Sequence, residues 1–295
     1  MATIAVHPDV TTTVHYKTIR IREVDIFYRE AGATTAPVLL LLHGFPTSSI
    51  MFRNVIRHLA RSFRVVAPDY PGYGFSSMPD HKSFTYSFDN LSDLMLEFTA
   101  KLNLPRFIVY LFDYSAPIAL RMALKEPDKI AGLIVQNGNA YEEGLREFWT
   151  PMKEYWSDPT PDKLASLFVS GPDSTKWQYA NGVADQSLLD PSTWTLDQAR
   201  LDRPGNSEIQ LDLLYDYRTN LELYPKFQEF FRKYQPPTLI VWGKNDYVFP
   251  TEGALPYKRD LPNAELCFFD TGHFALETHG HEIATLIEDF FSRGR

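Results

Sequence analysis

The sequence predicts an α/β architecture: a mostly parallel β-sheet flanked by helices, with one helical segment inserted into the order. Three observations lead there. Short runs rich in Val, Ile, Leu and Phe recur along the chain, bounded by Gly, Pro, Asn or Asp, as in strands buried on both faces. Helical patterns lie between these runs, and such alternation places helices over both faces of a parallel sheet. From Asn137 to about Asn220 strands are absent, and Trp149, Tyr155, Trp156, Trp177, Tyr179, Trp194, Tyr215 and Tyr217 crowd a Pro-punctuated, mostly helical stretch.

In chain order, strands are expected at Tyr16–Ile21, Val24–Glu30, Val38–Leu42, Arg64–Ala67, Phe107–Phe112, Ile130–Gln136, Thr238–Trp242 and Glu265–Phe269. Helices are expected at Ser49–Arg61, Thr85–Leu102, Ser115–Lys125 and His281–Ser292. The domain division is then a core of residues 1–136 and 221–295 with a helical cap over 137–220. The cap's aromatic residues serve as packing anchors, and a cap over strand ends also encloses an apolar pocket.

The chain of 295 residues is longer than most single cores, yet no Gly/Ser-rich or charged linker divides it. Hydrophobic residues at 44% and charged residues at 22% are ordinary for a soluble globule. A net charge of −8 without a Lys/Arg cluster argues against a nucleic-acid surface, and no apolar stretch is long enough for a membrane span. The start, with neither a basic nor an apolar leader, suggests a cytoplasmic protein. Cys267 is alone, so it has no disulfide partner within the chain, and its strand suggests a buried thiol. No His-x-x-x-His or Cys-x-x-Cys pair suggests a metal.

Chemistry concentrates at strand ends. The run from Phe107 to Leu124 passes from strand to helix at a single carboxylate, Asp113. Taken alone, Asp113 reads as a helix N-cap; at the carboxyl end of a buried parallel strand it is also a candidate nucleophile. After Val38–Leu42 comes His43-Gly-Phe-Pro-Thr-Ser-Ser49, whose backbone N–H groups could face such a site. Gly243-Lys-Asn-Asp246 follows Thr238–Trp242, and Asp270-Thr-Gly-His273 follows Glu265–Phe269. Asp246 alone could be an Asx turn and His273 a loop histidine. Their order after Asp113, however, is nucleophile, acid, base, which is the order of the α/β-hydrolase fold.

The segments His43-Gly-Phe-Pro46, Pro68-Asp-Tyr-Pro-Gly-Tyr-Gly-Phe-Ser76, Trp242-Gly-Lys-Asn-Asp246 and Thr271-Gly-His-Phe274 resemble the signature blocks of the α/β-hydrolase superfamily. The likeness is to the branch with soluble epoxide hydrolases and haloalkane and haloacetate dehalogenases, and it covers almost the whole chain. It implies a cofactor-free hydrolase in which Asp113 forms an alkyl ester and water activated by His273, oriented by Asp246, hydrolyses it. It also puts the backbone N–H groups of Phe45 and Tyr114 at the oxyanion, and makes Tyr217 a hydrogen-bond donor to the substrate oxygen. Tyr155 and Tyr141 are candidates for a second such tyrosine.

Two places depart from the family pattern. Leu111 stands where a small residue is usual and Ser115 where Gly is usual. Ser115 is either a filler, an altered turn or, less in keeping with its flanks, the nucleophile itself. The Trp and Asn with which haloalkane dehalogenases commonly grip halide are replaced by Tyr114 and Phe45, and the Arg residues that clamp a haloacetate are missing from Tyr-Ser-Ala-Pro117. The expected substrate is therefore a small apolar epoxide, with organohalides as the alternative. A Ser-type esterase and a non-catalytic binding protein on this fold follow behind.

Overall fold

The structure is a computed structural model that describes residues 12–165, 167 and 171–293. Eight strands form one sheet in the order β1-β2-β4-β3-β5-β6-β7-β8. They are β1 His15–Ile21, β2 Val24–Ala31, β3 Val38–Leu41, β4 Arg64–Pro68, β5 Phe107–Phe112, β6 Ile130–Gln136, β7 Thr238–Gly243 and β8 Glu265–Phe269. β2 runs antiparallel to both β1 and β4, and all pairs from β4 to β8 are parallel.

The helices are α1 Ile56–Leu59, α2 Phe88–Lys101, α3 Ser115–Lys125, α4 Thr150–Ser157, α5 Pro161–Ala165, α6 Pro172–Ala180, α7 Pro191–Leu201, α8 Asn206–Asp216, α9 Arg218–Tyr234, α10 Tyr257–Asp260 and α11 Ala275–Ser292. The central strands are apolar throughout, but their side chains still alternate between the two faces. Phe107, Val109 and Leu111 pack with Phe88, Leu91, Ile118 and Phe227 on one face. Ile108, Tyr110 and Phe112 pack with Ile56, Leu59, Ile283 and Ile287 on the other.

Three elements differ from expectation. The segment after Ser48 is a 3₁₀ turn, Ser49–Phe52, followed by the short α1. Its first amide, Ser49 N–H, donates to Asp69 rather than entering a long helix (2.8 Å). α2 begins at Phe88 because Ser87 accepts from the Asn90 amide (3.2 Å) and Asp216 from the Phe88 amide (2.8 Å). α11 starts six residues earlier than expected, with a non-helical residue at His279. Cys267 is half-buried, because β8 is an edge strand.

Between β6 and β7 the described residues contain helices and no strand. α9 runs unbroken through residue 220, so the expected end of the insertion falls inside a helix. Among the described residues no helix is long and apolar enough to cross a membrane.

Candidate active site

Parallel register brings the strand ends level. Phe112 pairs with Gln136 and Gln136 with Val241, so Asp113 and Asn137 leave adjacent strands side by side, with the β7 end next to them. Asp113 sits between β5 and α3 at φ +50°, a left-handed conformation unusual for a residue with a side chain. A strained strand-to-helix turn of this kind lifts the side chain at its tip clear of its neighbours. Gly44 makes the close approach possible: a Cβ there would lie 2.5 Å from the Cβ of Asp113. The Phe45 amide can therefore donate to Asp113 Oδ1 at 2.7 Å.

The Phe45 loop is itself fixed. His43 is fully buried; its Nε2 accepts from the Tyr70 amide (3.1 Å), which leaves Nδ1–H to donate to Gly44 O (3.0 Å). Burial pushes the His43 imidazole below its usual range, in keeping with this neutral form.

Desolvation pushes the Asp113 carboxyl up to about 6, while His273 and hydrogen bonds from the Phe45 and Tyr114 amides act against it. The amino-terminal end of α3 adds to their effect. His273, on the turn after β8, presents Nε2 toward Asp113 Oδ2 at 3.8 Å, and that nitrogen has no hydrogen-bond partner among the described residues. Its Nδ1–H donates to Asp246 Oδ2 at 2.7 Å. Burial lowers the His273 pKa, but the carboxylates of Asp246 and Asp113 outweigh it and raise the imidazole above its ordinary value. The three residues expected from the sequence thus come together at the ends of β5, β7 and β8.

Two neighbours were not foreseen. Asn137, at φ +41° after β6, donates to Asp246 Oδ2 (2.7 Å) and accepts from the Gly243 amide (2.9 Å). Gln136 donates to the His273 carbonyl (3.0 Å), and Tyr110 donates to Gln136. The one available signal was a polar pair closing an apolar strand, the same signal that marked Asp113.

Ser115 is fully buried; its Oγ accepts from the Phe112 amide (2.6 Å) and lies within donating distance of the Leu42 (2.9 Å) and Phe112 (2.8 Å) carbonyls. Its hydroxyl is taken up by the backbone of the turn. Leu111 fits because Gly138 opposes it: a Cβ on Gly138 would lie 2.9 Å from Leu111 Cδ1.

A cavity over Asp113 is lined by Phe45, Tyr114, Phe148, Trp149, Met152, Trp177, Gln178, Gln210 and Leu214. The space open to the centre of a water-sized sphere is about 40 Å³. Tyr114 lies on its wall, and its hydroxyl makes no hydrogen bond among the described residues. Tyr217 does not lie on that wall. It is fully buried at the α8–α9 junction, stacked on Trp149 (4.4 Å) and Trp156 (5.8 Å), and its hydroxyl is hydrogen-bonded to Tyr224. The sequence block placed Tyr217 in the right neighbourhood, but ring packing draws it behind Trp149. Tyr141 donates to Asp260 (2.8 Å) and Tyr155 packs on Tyr215, both off the cavity.

Comparison with known proteins agrees with this arrangement at the level of family. A family model described as alpha/beta hydrolase fold matches residues 37–280. An uncharacterized hydrolase of Saccharomyces cerevisiae, YNR064C, is 46% identical over 274 residues, covering 91% of this chain and 94% of that protein. Haloalkane dehalogenase 2 of Mycobacterium bovis is 27% identical, covering 90% and 91% of the two chains. The solved structure of epoxide hydrolase VrEH1 from Vigna radiata superposes with a TM-score of 0.76 at 21% identity, covering 95% of this chain and 98% of that one. With a family match spanning most of its length and a hydrolase relative 46% identical over nearly the whole chain, this chain belongs to the alpha/beta hydrolase fold family and is a hydrolase.

Proposed function

We propose that this hydrolase opens small epoxides through an alkyl ester on Asp113. The observation that carries the reading is the pairing, in one small apolar cavity, of the Asp113 carboxylate with the Tyr114 phenol, whose hydroxyl has no described partner. A carboxylate is a poor nucleophile in water, and partial desolvation strengthens it while the Phe45 amide aims it. As Asp113 attacks a ring carbon, the C–O bond breaks and the oxygen takes the Tyr114 proton. Desolvation and the nearby Asp113 raise that phenol far above its ordinary pKa, so it is protonated throughout the physiological range.

Ester formation removes the negative charge of Asp113, one of the influences that raise the His273 pKa. The charge passes to the Tyr114 oxygen, and His273 serves as the base of the second step. Its Nε2 takes a proton from water attacking Cγ of the ester, while Asp246 stabilises the imidazolium and the Phe45 and Tyr114 amides receive the oxyanion. On collapse the imidazolium protonates the departing alkoxide, and the proton left on the Asp113 carboxyl returns to the Tyr114 oxygen. The net change is one water added and a diol released.

Halide release is the alternative, and the sequence likeness to a haloalkane dehalogenase keeps it in view. Against it, the Trp149 indole N–H already donates to the Val248 carbonyl (2.8 Å), and no cationic side chain lines the cavity to bind a haloacetate. The test is His273→Gln exposed to small epoxides, haloalkanes and haloacetates, followed by intact-protein and peptide mass spectrometry. An epoxide-derived adduct should accumulate on the Asp113 peptide while steady turnover falls by about 10⁴-fold, equivalent to about 5.4 kcal/mol. An adduct formed only from organohalides, or one on Ser115, overturns the reading.

A further inference from the structure

The wall that faces Asp113 is apolar at Phe148, Trp149, Met152 and Leu214, and interrupted by two carboxamides, Gln178 and Gln210. Gln210 is committed within the protein: its Oε1 accepts from the Tyr73 hydroxyl (2.6 Å) and its Nε2 donates to Asn206 (3.0 Å). Gln178, on α6, is 8% exposed and has no hydrogen-bond partner among the described residues. A ligand that enters beside a carboxamide with no protein partner displaces the water there and has to complete the hydrogen bonds itself.

A carboxamide offers donors and an acceptor close together, and among small neutral substituents of an epoxide a hydroxyl satisfies both at once. A carboxylate would satisfy the donor half alone, and no cation on the cavity wall balances its charge. Size narrows the choice further. The space for the centres of water-sized spheres is about 40 Å³, small beside the roughly 300–1,000 Å³ of pockets that take drug-sized ligands. That suits a three- or four-atom skeleton rather than a long chain.

Resting on the epoxide reading above, we propose that Gln178 is a specificity-determining residue that selects small epoxides bearing a hydroxyl, of the glycidol type. The hydroxyl donates to Gln178 Oε1 and accepts from Nε2–H while Asp113 attacks the ring. This moves the preferred substrate from a plain alkyl epoxide to an epoxy alcohol of the same size.

The test compares glycidol with 1,2-epoxybutane, which matches it in length but lacks the hydroxyl. Wild-type kcat/KM should favour glycidol by about 10- to 100-fold, because a site holding a polar partner penalises the ligand that leaves it unpaired. Gln178→Leu should abolish that preference, lowering kcat/KM for glycidol by about 10- to 100-fold relative to 1,2-epoxybutane; Gln178→Met, of similar length, gives the same reading if the Leu variant folds poorly. Equal use of both epoxides by wild type, or a preference that survives in both variants, overturns the proposal. Saturation-transfer NMR with glycerol and butane-1,2-diol separates it from the reaction itself. If wild type opens neither epoxide yet binds glycerol preferentially, and the variants lose that preference, the epoxide reading fails and the hydroxyl subsite stands. If wild type binds the two alcohols alike, the subsite fails.

Discussion

On the core side of the cavity Asp113, Asp246 and one nitrogen of His273 are held by neighbours, while the Tyr114 hydroxyl and His273 Nε2 are left open; on the insertion side the wall is mostly rings in contact. Asp113 is held by the Phe45 amide, Asp246 by Asn137 and the Val248 amide, and His273 Nδ1 by Asp246. Across from them Trp149 stacks on Tyr217 and Trp177 on Phe148's side of the cavity, with Gln178 left unpaired. Directional bonds from strand ends fix atoms to within a fraction of an ångström, which bond-making requires. Ring packing sets a shape and tolerates rearrangement, which is what selection among substrates requires. The difference teaches where to look for each property: rate in the core wall, choice of substrate in the insertion.

The sharpest way to break this division is to compare two tyrosines, one from each side. Tyr114→Phe should lower kcat on epoxides by about 10- to 100-fold, or about 1.4–2.7 kcal/mol. Tyr217→Phe should change kcat by less than about threefold and instead cost about 1 kcal/mol of stability through its lost bond to Tyr224. The reverse ranking in a steady-state assay would return the proton-donor role to the insertion.

A second measurement uses pH. In the proposed mechanism Asp113 attacks as the carboxylate, and burial raises it to about 6, so kcat/KM should fall as the pH drops through that value. Between pH 7 and pH 5 the loss should be about tenfold. A rate that stayed flat to pH 4, the range of an ordinary carboxylate, would show that burial does not raise the Asp113 carboxyl in the free enzyme.

The two sides meet at Asp197 on α7, a buried carboxyl that accepts from Tyr179 (2.6 Å) and from Thr47 of the loop beyond Phe45. Tyr179 in turn stacks on Phe274 at 3.8 Å, next to His273. Desolvation raises Asp197 to about 7 against the pull of those two hydroxyls. Because the folded pKa lies above the unfolded one near 3.9, the carboxyl favours the folded state most at low pH. That advantage is lost as pH rises from about 4 to about 7. Asp197→Asn should therefore raise Tm at pH 8 by about 3–6 °C and leave it unchanged near pH 4. A loss at pH 8 with none near pH 4 would mean that the carboxylate itself secures the joint.

The smallest effect belongs to Ser115. Its hydroxyl is engaged by the Leu42 and Phe112 backbone, so Ser115→Gly should leave kcat within about twofold and lower stability by about 1 kcal/mol. A loss beyond about 100-fold, or about 2.7 kcal/mol, would place the hydroxyl in the chemistry.

The order of elements, the strand-end positions of Asp113, Asp246 and His273 and the Phe45 turn were all legible in the amino-acid sequence. Each is written locally, as an apolar run that stops at one polar residue or glycine, and parallel strands carry such stops to one edge of a sheet whatever lies between them. The partners of those groups were not legible. Asn137 reaches Asp246 across 109 positions, and Ser115 reaches Leu42 across 73, so no local pattern signals either bond. Helical periodicity marked the insertion as helical and rich in rings, but not which rings would touch the cavity. Tyr217 withdrew behind Trp149 while Tyr114 and Gln178 came to the wall, because the rotation of a helix about its axis is decided by its neighbours' packing. Bonds along the strands follow from sequence order; contacts between separately packed layers exist only once the layers have met.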